Sequence, residues 1–423
     1  MSAPLLTPTA LDALGAGARE ALDDATRTRT AGIVGAVRED GESALREFAR
    51  ELDGLADDAP LVVDAGGLRA AAERIDPETL ALLERTAGRI GAFARAQRAA
   101  LGDVDVPVPG GRAGHRAVPV RAAGCYAPGG RYPLPSSVLM TAVTARAAGV
   151  ESVTVATPRA SDLMLAAAHV AGADRVLCAG GAHAVAALAY GAGALEPVDV
   201  IVGPGNRWVT AAKELVFGDV GIDVPAGPSE LVVVCDASAD PETVASDLIA
   251  QAEHDPDARA GVVAIGAGIV TAVEAALQAQ LQALPTADVA RSALTRAGFS
   301  VEVTTWDEAR AAVDRLAPEH LELQIEDAAA REPEIRHYGG VFVGAAAAEV
   351  FGDYGVGPNH VLPTGAAARF SGGLSVLDFL RVRTWLQVDD PEAVAEDCAA
   401  LARLEGLEGH ARSAERRRVG AAR

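Results

Sequence analysis

The chain has 423 residues, half of them hydrophobic, and a net charge of −21 at pH 7, so it is long enough for a large core and strongly acidic. An acidic surface repels nucleic-acid phosphates and anionic lipids, so we expect a small-molecule partner, no nucleic acid and no membrane. The four cysteines lack zinc-knuckle or redox spacing, and neither a signal peptide nor an apolar run of membrane length is evident, which favours a reduced, cytoplasmic environment.

Residues 7–100 predict a helical N-terminal region, because Ala, Leu, Arg and Glu recur at helical spacing, with one strand candidate at 61–63. After a Pro- and Gly-rich stretch at 106–114, short β-branched runs alternate with Ala-rich segments. The runs lie at 152–156, 175–178, 198–202, 231–235, 261–265, 300–303 and 341–343. This alternation predicts an α/β fold of two doubly wound halves with parallel sheets, separated near the turn at 225–228. From Phe370 onward the pattern predicts helices.

A helix over 243–254 is predicted from apolar residues at helical spacing, with Asp240 as N-cap and Pro241 in the first turn. Gln251 and His254 lie three residues apart beside the apolar stripe, so both should turn inward. Burying either without a partner costs about 1–3 kcal/mol. The partner is either a metal ion or another polar group of the core.

Two glycine-rich turns favour a dinucleotide site. One, at 124–131, precedes a helix that starts near Ser136, and the other, at 203–206, stands between a strand and a helix. Glycines at such junctions let backbone N–H groups approach a phosphate at the positive end of a helix. Neither turn matches G-x-G-x-x-G, and Gly-Pro turns also end strands for steric reasons alone.

Three later segments offer polar groups for chemistry. Glu319 and His320 could transfer protons, although the same two residues are also consistent with a solvated glutamate beside a helix-capping histidine. The glycine-rich loop 352–360 contains Asp353 and His360, and glycines interrupt the last helix around His410. A zinc site of nitrogen and oxygen ligands could be formed by Gln251, His254, Asp353 and His410.

These segments together resemble the histidinol dehydrogenase family over nearly the whole chain. The stretches that carry the resemblance are YAPGG (126–130), GPGN (203–206), AGPSE (226–230), QAEH (251–254), APEH (317–320), GDY (352–354), NHVLP (359–363) and EGL (405–407) with His410.

The resemblance implies an enzyme that uses zinc and NAD to oxidise a primary alcohol, L-histidinol, to a carboxylate through an enzyme-held aldehyde. It also implies two Rossmann-like domains with small helical terminal segments, and a domain-swapped homodimer with shared active sites. The expected parts are a helical segment at 1–24, a first domain of 25–120 with 230–369 that carries the metal and proton-transfer residues, a second domain at 121–229 on the NAD side, and a helical segment at 370–423.

The same resemblance assigns residue roles. The zinc ligands are Gln251, His254, Asp353 and His410. The proton-transfer pair is Glu319 and His320. The NAD contacts are Tyr126, His183 and Asn206. The substrate contacts are Ser229, His320 and Glu405 together with the four zinc ligands.

Two departures bear on these roles. His183 stands where the family usually has a glutamine in Gly-Gly-Ala-Gln, and an imidazole can still donate one hydrogen bond to the cofactor. The stretch RYPLP at 131–135 resembles relatives that oxidise other small polar alcohols, such as dihydroxypropanesulfonate, which leaves the substrate open.

Two other function classes compete with the dehydrogenase. A zinc hydrolase could use an open zinc and Glu319, but it leaves the two glycine-rich turns unexplained. A structural metal-binding protein leaves Glu319 and His320 without a task.

Overall fold

The structure is a computed structural model that describes residues 4–15, 22–129, 133–224 and 227–418. Its strands are β1 Thr7–Pro8, β2 Val62–Asp64, β3 Val104–Val108, β4 Gly111–Pro119, β5 Ala122–Tyr126, β6 Ser152–Ala156, β7 Arg175–Leu177, β8 Val200–Val202, β9 Gly221–Ile222, β10 Glu230–Cys235, β11 Arg259–Ile265, β12 Phe299–Val303, β13 His320–Gln324, β14 Gly340–Val343 and β15 Leu380–Val388.

Its α-helices are α1 Asp24–Asp40, α2 Glu42–Asp53, α3 Ala65–Ala72, α4 Pro77–Ala99, α5 Pro135–Ala148, α6 Asp162–Val170, α7 Gly181–Tyr190, α8 Arg207–Val216, α9 Pro241–Ala252, α10 Ile269–Gln280, α11 Ala287–Ala297, α12 Trp306–Leu316, α13 Ala328–Arg331, α14 Glu349–Asp353, α15 Glu392–Leu404 and α16 Glu408–Glu415. Among the described residues, no helix combines the length and apolarity needed to cross a bilayer.

Two six-stranded sheets form the body of the molecule. The first sheet has the order β2-β7-β6-β5-β8-β9 and the second has the order β1-β12-β11-β10-β13-β14. Each winds outward in both directions from a central strand, β5 or β10, and the pairs are parallel except for β2 with β7. The predicted doubly wound α/β architecture with parallel sheets is therefore confirmed.

The strands form where the sequence has uninterrupted apolar or β-branched runs. Every residue of β10, Glu-Leu-Val-Val-Val-Cys, is buried, as is typical of parallel strands covered by helices on both faces. All eight predicted strands are present, with boundaries within two residues of those expected. The central strand β5 was not predicted, because Ala-Ala-Gly-Cys-Tyr lacks β-branched residues; its Gly124 leaves room for the side chain of Leu188.

The predicted grouping of residues 25–120 with 230–369 is corrected by the strand pairing. The strand β2 pairs with β7 of the first sheet, and helices α1, α3 and α4 pack against α7, α6 and α5 of that same unit. The helical N-terminal region therefore covers the first sheet. The physical reason is that Val62 and Val63 extend an open sheet edge, a long-range pairing that periodicity does not reveal.

Both terminal segments also differ from the helices predicted for them. Of residues 1–24, those at 1–3 and 16–21 lie outside the described residues, Thr7–Pro8 adds an edge strand beside β12, and Leu11–Ala13 forms a 3₁₀ turn. After Phe370, β15 precedes α15 and α16 and forms a three-stranded antiparallel sheet with β4 and β3. The hairpin of β3 and β4 occupies the stretch at 106–114, which was described above only as rich in proline and glycine.

The division between the two sheets falls where the turn at 225–228 was predicted. The first sheet ends at Ile222 and the second begins its central strand at Glu230. Residues 225 and 226 of the turn lie outside the described residues, as do residues 130–132 of the predicted YAPGG and RYPLP segments.

Candidate active site

A buried glutamate–histidine pair lies at the amino edge of β13, beside the central strand β10. The Ser229 hydroxyl donates to Glu319 Oε2 at 2.7 Å, and the backbone N–H of Glu230 donates to the same oxygen at 2.9 Å. Desolvation raises the pKa of Glu319 well above its usual value, with the charges of Glu230 and Asp353 acting in the same direction. The predicted pair is thus held with one carboxylate oxygen fully engaged.

The imidazole of His320 is positioned to act as a base. Its Nδ1 lies 3.3 Å from the carbonyl oxygen of Glu230, so a hydrogen on Nδ1 has an acceptor and Nε2 keeps its lone pair. Burial lowers the pKa of His320 to about 4. The ring is therefore neutral near pH 7, and it stacks on Phe342 with centroids 6.1 Å apart.

Three ligand-type side chains converge next to this pair. His254, Glu349 and Asp353 each offer an atom that lies within 4.8 Å of the atoms offered by the other two. His254 Nε2 is 3.7 Å from Asp353 Oδ2, and His320 Nε2 is 3.9 Å from Asp353 Oδ1. A divalent ion with bonds of about 2.0–2.2 Å could contact nitrogen and oxygen donors at such separations after small adjustments.

The amide of Gln251 supports a metal at this place. The helix α9 begins with Asp240 as N-cap, as predicted, and carries Gln251 at 0% exposure near its C-terminal end. Neither its side-chain oxygen nor its nitrogen has a hydrogen-bond partner among the described residues. A buried, unpartnered amide oxygen on α9, the helix that packs against α14 with its Glu349 and Asp353, fits zinc with a nitrogen and oxygen ligand set.

His254 differs from its predicted setting. The helix ends at Ala252 rather than at residue 254, and the His254 side chain is 42% exposed instead of turned into the core. The helix ends early because the chain turns toward Asp255 and Pro256. Its Nε2 nevertheless lies 3.7 Å from Asp353 Oδ2, so the fold brings His254 and Asp353 together.

Glu349 is a residue that the sequence did not single out. Burial raises its pKa well above the usual value, with the charges of Asp353, Glu319 and Glu322 adding to the effect, and both carboxylate oxygens lack hydrogen-bond partners. No lysine or arginine in the described part of the chain forms an ion pair with Glu319, Glu349 or Asp353. The available signal was its spacing, because Glu349 and Asp353 lie four residues apart on the one-turn helix α14.

The glycine-rich loop closes the site from the side of the first sheet. His360 Nδ1 lies 3.0 Å from the carbonyl oxygen of Asp353, its Nε2 lies 3.4 Å from Ser137 Oγ, and burial lowers the pKa of the imidazole. The Asn359 amide donates to the carbonyl of Met140 at 2.8 Å, which ties the loop to α5. A cavity of about 640 Å³ lies between His320 and His360, with Phe93, Phe342 and Phe351 on its walls.

A second cavity, of about 450 Å³, lies at the carboxyl edge of the first sheet and brings together the three predicted NAD contacts, Tyr126, His183 and Asn206. The Tyr126 hydroxyl accepts from the Gly181 N–H at 3.0 Å, and Asn206 caps α8 by accepting from the N–H groups of Trp208 and Val209. Dinucleotides bind at this edge of doubly wound sheets, where the strand order reverses.

The turn at 203–206 is fixed by the buried ion pair of Lys213 and Asp223, which both bond to Gly203. The Lys213 ammonium donates to the carbonyl of Gly203 at 2.9 Å and pairs with Asp223, whose other oxygen accepts from the Gly203 N–H at 2.6 Å. Gly203 has φ +119°, and a Cβ there would meet the carbonyl of Tyr126. The glycine is therefore required for backbone conformation and close approach.

Glu405 and His410 are not brought to this site within one chain. Glu405 ends α15, His410 lies on α16, and both are exposed. Among the described residues, the ligand-type group next to the proton-transfer pair contains His254, Glu349 and Asp353 but not His410.

A cavity at the carboxyl edge of one sheet, where dinucleotides bind, and a metal-ligand cluster with a buried acid–base pair on the other sheet indicate the class, a metal- and nucleotide-dependent α/β oxidoreductase. The family model described as histidinol dehydrogenase matches residues 18–418. Histidinol dehydrogenase of Thermus thermophilus is 46% identical over 92% of this chain and 93% of its own length, and that of Pseudomonas savastanoi pv. phaseolicola is 44% identical over 93% and 90%.

The crystal structure of histidinol dehydrogenase from Elizabethkingia anophelis superposes with a TM-score of 0.91 at 28% identity and covers 98% of both chains. The chain therefore belongs to the histidinol dehydrogenase family, as the resemblance predicted, and is an oxidoreductase that uses NAD and zinc.

Proposed function

We propose that the chain oxidises L-histidinol to L-histidine in two NAD-dependent steps and holds the intermediate aldehyde between them. The observation that carries this proposal is the ligand-type cluster of His254, Glu349 and Asp353 beside the buried pair Glu319 and His320. A hydrolase would leave the cofactor cavity without a use, and a structural metal protein would leave the proton-transfer pair without one.

Zinc would be held by Gln251, His254 and Asp353 of one chain, completed by His410 of a second copy. When bound, zinc supplies a Lewis acid next to the alcohol and NAD supplies the hydride acceptor. Around these groups, the chain itself orients the substrate and moves protons. We assign the cofactor to the unit built on the first sheet and the metal with the proton-transfer pair to the unit built on the second.

In the first step His320 Nε2 takes the hydroxyl proton as the alcohol becomes an aldehyde. Its Nδ1–H keeps the hydrogen bond to the carbonyl of Glu230, which holds the ring in place. In the second step a water adds to the aldehyde, Glu319 takes a proton from that water, and the hydrate is oxidised to the carboxylate. Desolvation raises the pKa of the Glu319 carboxyl, and a divalent cation bound nearby would lower it and so make the carboxylate available as a base.

The cavity between His320 and His360 favours histidinol over a sulfonate alcohol. Its walls are mainly apolar and aromatic, and none of the described residues that line it is a lysine or arginine. A sulfonate carries a permanent negative charge and needs a cationic side chain, whereas an imidazole-bearing alcohol needs apolar walls and a few polar groups.

The C-terminal helices α15 and α16 would complete the site of a second copy. Leu404, which precedes Glu405, is 85% exposed, and Leu401 and Leu407 nearby are also exposed. Apolar side chains this exposed indicate a surface that another chain covers. We therefore assign Glu405 as a substrate contact and His410 as a zinc ligand across a swapped homodimer. All four cysteines are free, in keeping with the cytoplasmic location that we propose.

The substrate is tested by incubating the zinc-loaded protein with NAD and L-histidinol and measuring NADH by absorbance. Two NADH per alcohol are expected. No NADH from L-histidinol, with turnover of dihydroxypropanesulfonate instead, would overturn the substrate assignment.

The role of Glu319 is tested with Glu319→Gln and L-histidinal supplied as substrate. Loss of the water-activating base should slow aldehyde oxidation by about 10²–10⁴-fold and slow alcohol oxidation less. The fold can be checked by circular dichroism. Full-rate aldehyde oxidation by this variant would remove Glu319 from that role.

A further inference from the structure

A histidine–carboxylate pair lies beneath the cofactor cavity. His183 is 1% exposed, and its Nε2 is 2.8 Å from Asp53 Oδ2. The same carboxylate oxygen accepts from the backbone N–H of Gly180 at 2.8 Å, at the start of α7. Asp53 lies 130 residues earlier, at the end of α2, so only the fold brings the two side chains together.

This pair sets which nitrogen of His183 carries the hydrogen. An ionised carboxylate accepts hydrogen bonds and has none to donate, so Nε2 must be the donor toward Asp53. In the neutral ring Nδ1 is then a lone-pair acceptor, so the hydrogen-bond donor to the cofactor that was expected from the sequence is already used by Asp53. Nδ1 has no hydrogen-bond partner among the described residues, and it lies on the ring edge that faces Gly181, 3.7 Å from where a Cβ would stand.

The partner of Nδ1 is best supplied by a ligand. Gly181, Asp53 and His183 all line the cavity of about 450 Å³, as do Tyr126 and Asn206. A buried acceptor with no donor in the protein is uncommon unless a water or a ligand serves it. The group that fits Nδ1 is an O–H or N–H donor.

We infer that Asp53 is a positioning residue that fixes His183 as an acceptor, and that Nδ1 accepts a ribose hydroxyl of the bound dinucleotide. This inference rests on the proposed use of NAD in this cavity. It also predicts cofactor specificity. The Nδ1 lone pair can accept a hydrogen bond from the ribose hydroxyl of NAD, whereas the lone pair and the Asp53 charge repel the additional phosphate of NADP. The pair therefore favours NAD over NADP. The cationic side chains that line the cavity, Arg29 and Arg159, remain available to bind the pyrophosphate.

The test measures the Kd of NAD for the full-length, zinc-loaded protein by calorimetry, together with the 2′-deoxy and 3′-deoxy forms at each ribose. For the wild type, one deoxy form should bind about 3- to 10-fold more weakly than NAD, as expected for one lost neutral hydrogen bond. In His183→Leu, NAD itself should weaken by the same factor and the penalty for that deoxy form should vanish.

Two variants separate the hydrogen bond from the charge. His183→Gln, the residue usual in the family, keeps an acceptor oxygen and should keep a deoxy penalty. Asp53→Asn keeps an oxygen that accepts from Nε2–H, so the penalty should persist, while discrimination against NADP should fall because the negative charge is gone.

The outcomes distinguish this inference from the proposed function. If the wild type oxidises L-histidinol with NAD but shows no deoxy penalty, or if His183→Leu retains the penalty, the inference is wrong and the function stands. If the wild type does not bind NAD at all, the proposed function fails and the inference fails with it. The wild-type measurements need no substitution, so a variant that misfolds does not remove the test.

Discussion

The two ligand-binding regions of this molecule differ in how their buried polar side chains are paired. On the first sheet, Lys213 is paired with Asp223 and bonded to Gly203, and His183 is paired with Asp53 through Nε2. On the second sheet, Gln251 and Glu349 have no hydrogen-bond partners among the described residues. Paired groups shape a turn before any ligand arrives, whereas unpartnered groups mark the place where a ligand must supply what the chain does not.

The difference follows from what each ligand requires. A dinucleotide is recognised largely by backbone groups at a strand-to-helix turn, so that turn must have one shape. A metal ion is recognised by side-chain lone pairs, and a lone pair that binds the metal cannot at the same time accept a hydrogen bond. Stability should therefore respond in opposite directions to removal of a paired side chain from the first region and of an unpartnered side chain from the second.

The largest effect is expected for Lys213→Met. This variant leaves Asp223 buried without its counter-ion and releases the carbonyl of Gly203, which should lower the free energy of unfolding by about 3–5 kcal/mol. The measurement is urea unfolding at a fixed protein concentration, because oligomerisation shifts apparent stability.

The double variant Lys213→Met with Asp223→Asn is the matched control. The asparagine oxygen can still accept from the Gly203 N–H and carries no charge, so part of the lost stability should return. Equal stability of Lys213→Met and the wild type would show that the pair does not hold the turn.

A smaller change of opposite sign is expected for Gln251→Leu in chelator-treated protein. Removing an amide that has no partner should raise the free energy of unfolding by about 1–3 kcal/mol, while zinc affinity falls. Zinc content by elemental analysis and urea unfolding measure the two effects.

Gln324→Leu is the control, because the Gln324 amide donates to Asp247 and Glu322 at 2.7 and 3.0 Å. That variant should destabilise the metal-free protein. If both substitutions destabilise it equally, Gln251 has a partner and the contrast between the two regions does not hold.

The smallest effect is a change in pH dependence for Glu322→Gln. Desolvation and the charge of Asp247 raise the pKa of Glu322 to about 8 in the folded protein. Because the folded pKa lies above the unfolded one, the stability from the protonated form is complete below about pH 4.5 and is lost as the pH rises through 8.

Glutamine resembles the protonated carboxyl, so the variant should lose this dependence. The fall in unfolding free energy of the metal-free protein between pH 6 and 7 should become smaller by about 1 kcal/mol. Near pH 4 the variant and the wild type should have similar stability. An unchanged slope would mean that Glu322 is ionised in the folded state.

Local patterns in the sequence determined most of the scaffold. Runs such as Leu-Val-Val-Val before Cys235 have no other stable place than a buried parallel strand, and Asp240 followed by Pro241 starts a helix wherever the chain goes. The segments around Gln251, Glu319 and Asp353 were recognisable because each contains polar side chains that the local helix, strand or turn does not require.

Tertiary structure decided everything that depends on distant pairing. β5 is a strand because it forms backbone hydrogen bonds with β6 on one side and β8 on the other, and β15 is a strand because it pairs with β4 along its whole length. The approach of Glu349 to His254, and of Asp53 to His183, joins segments about a hundred residues apart. Periodicity reports which face of an element is apolar, and only packing determines which faces meet.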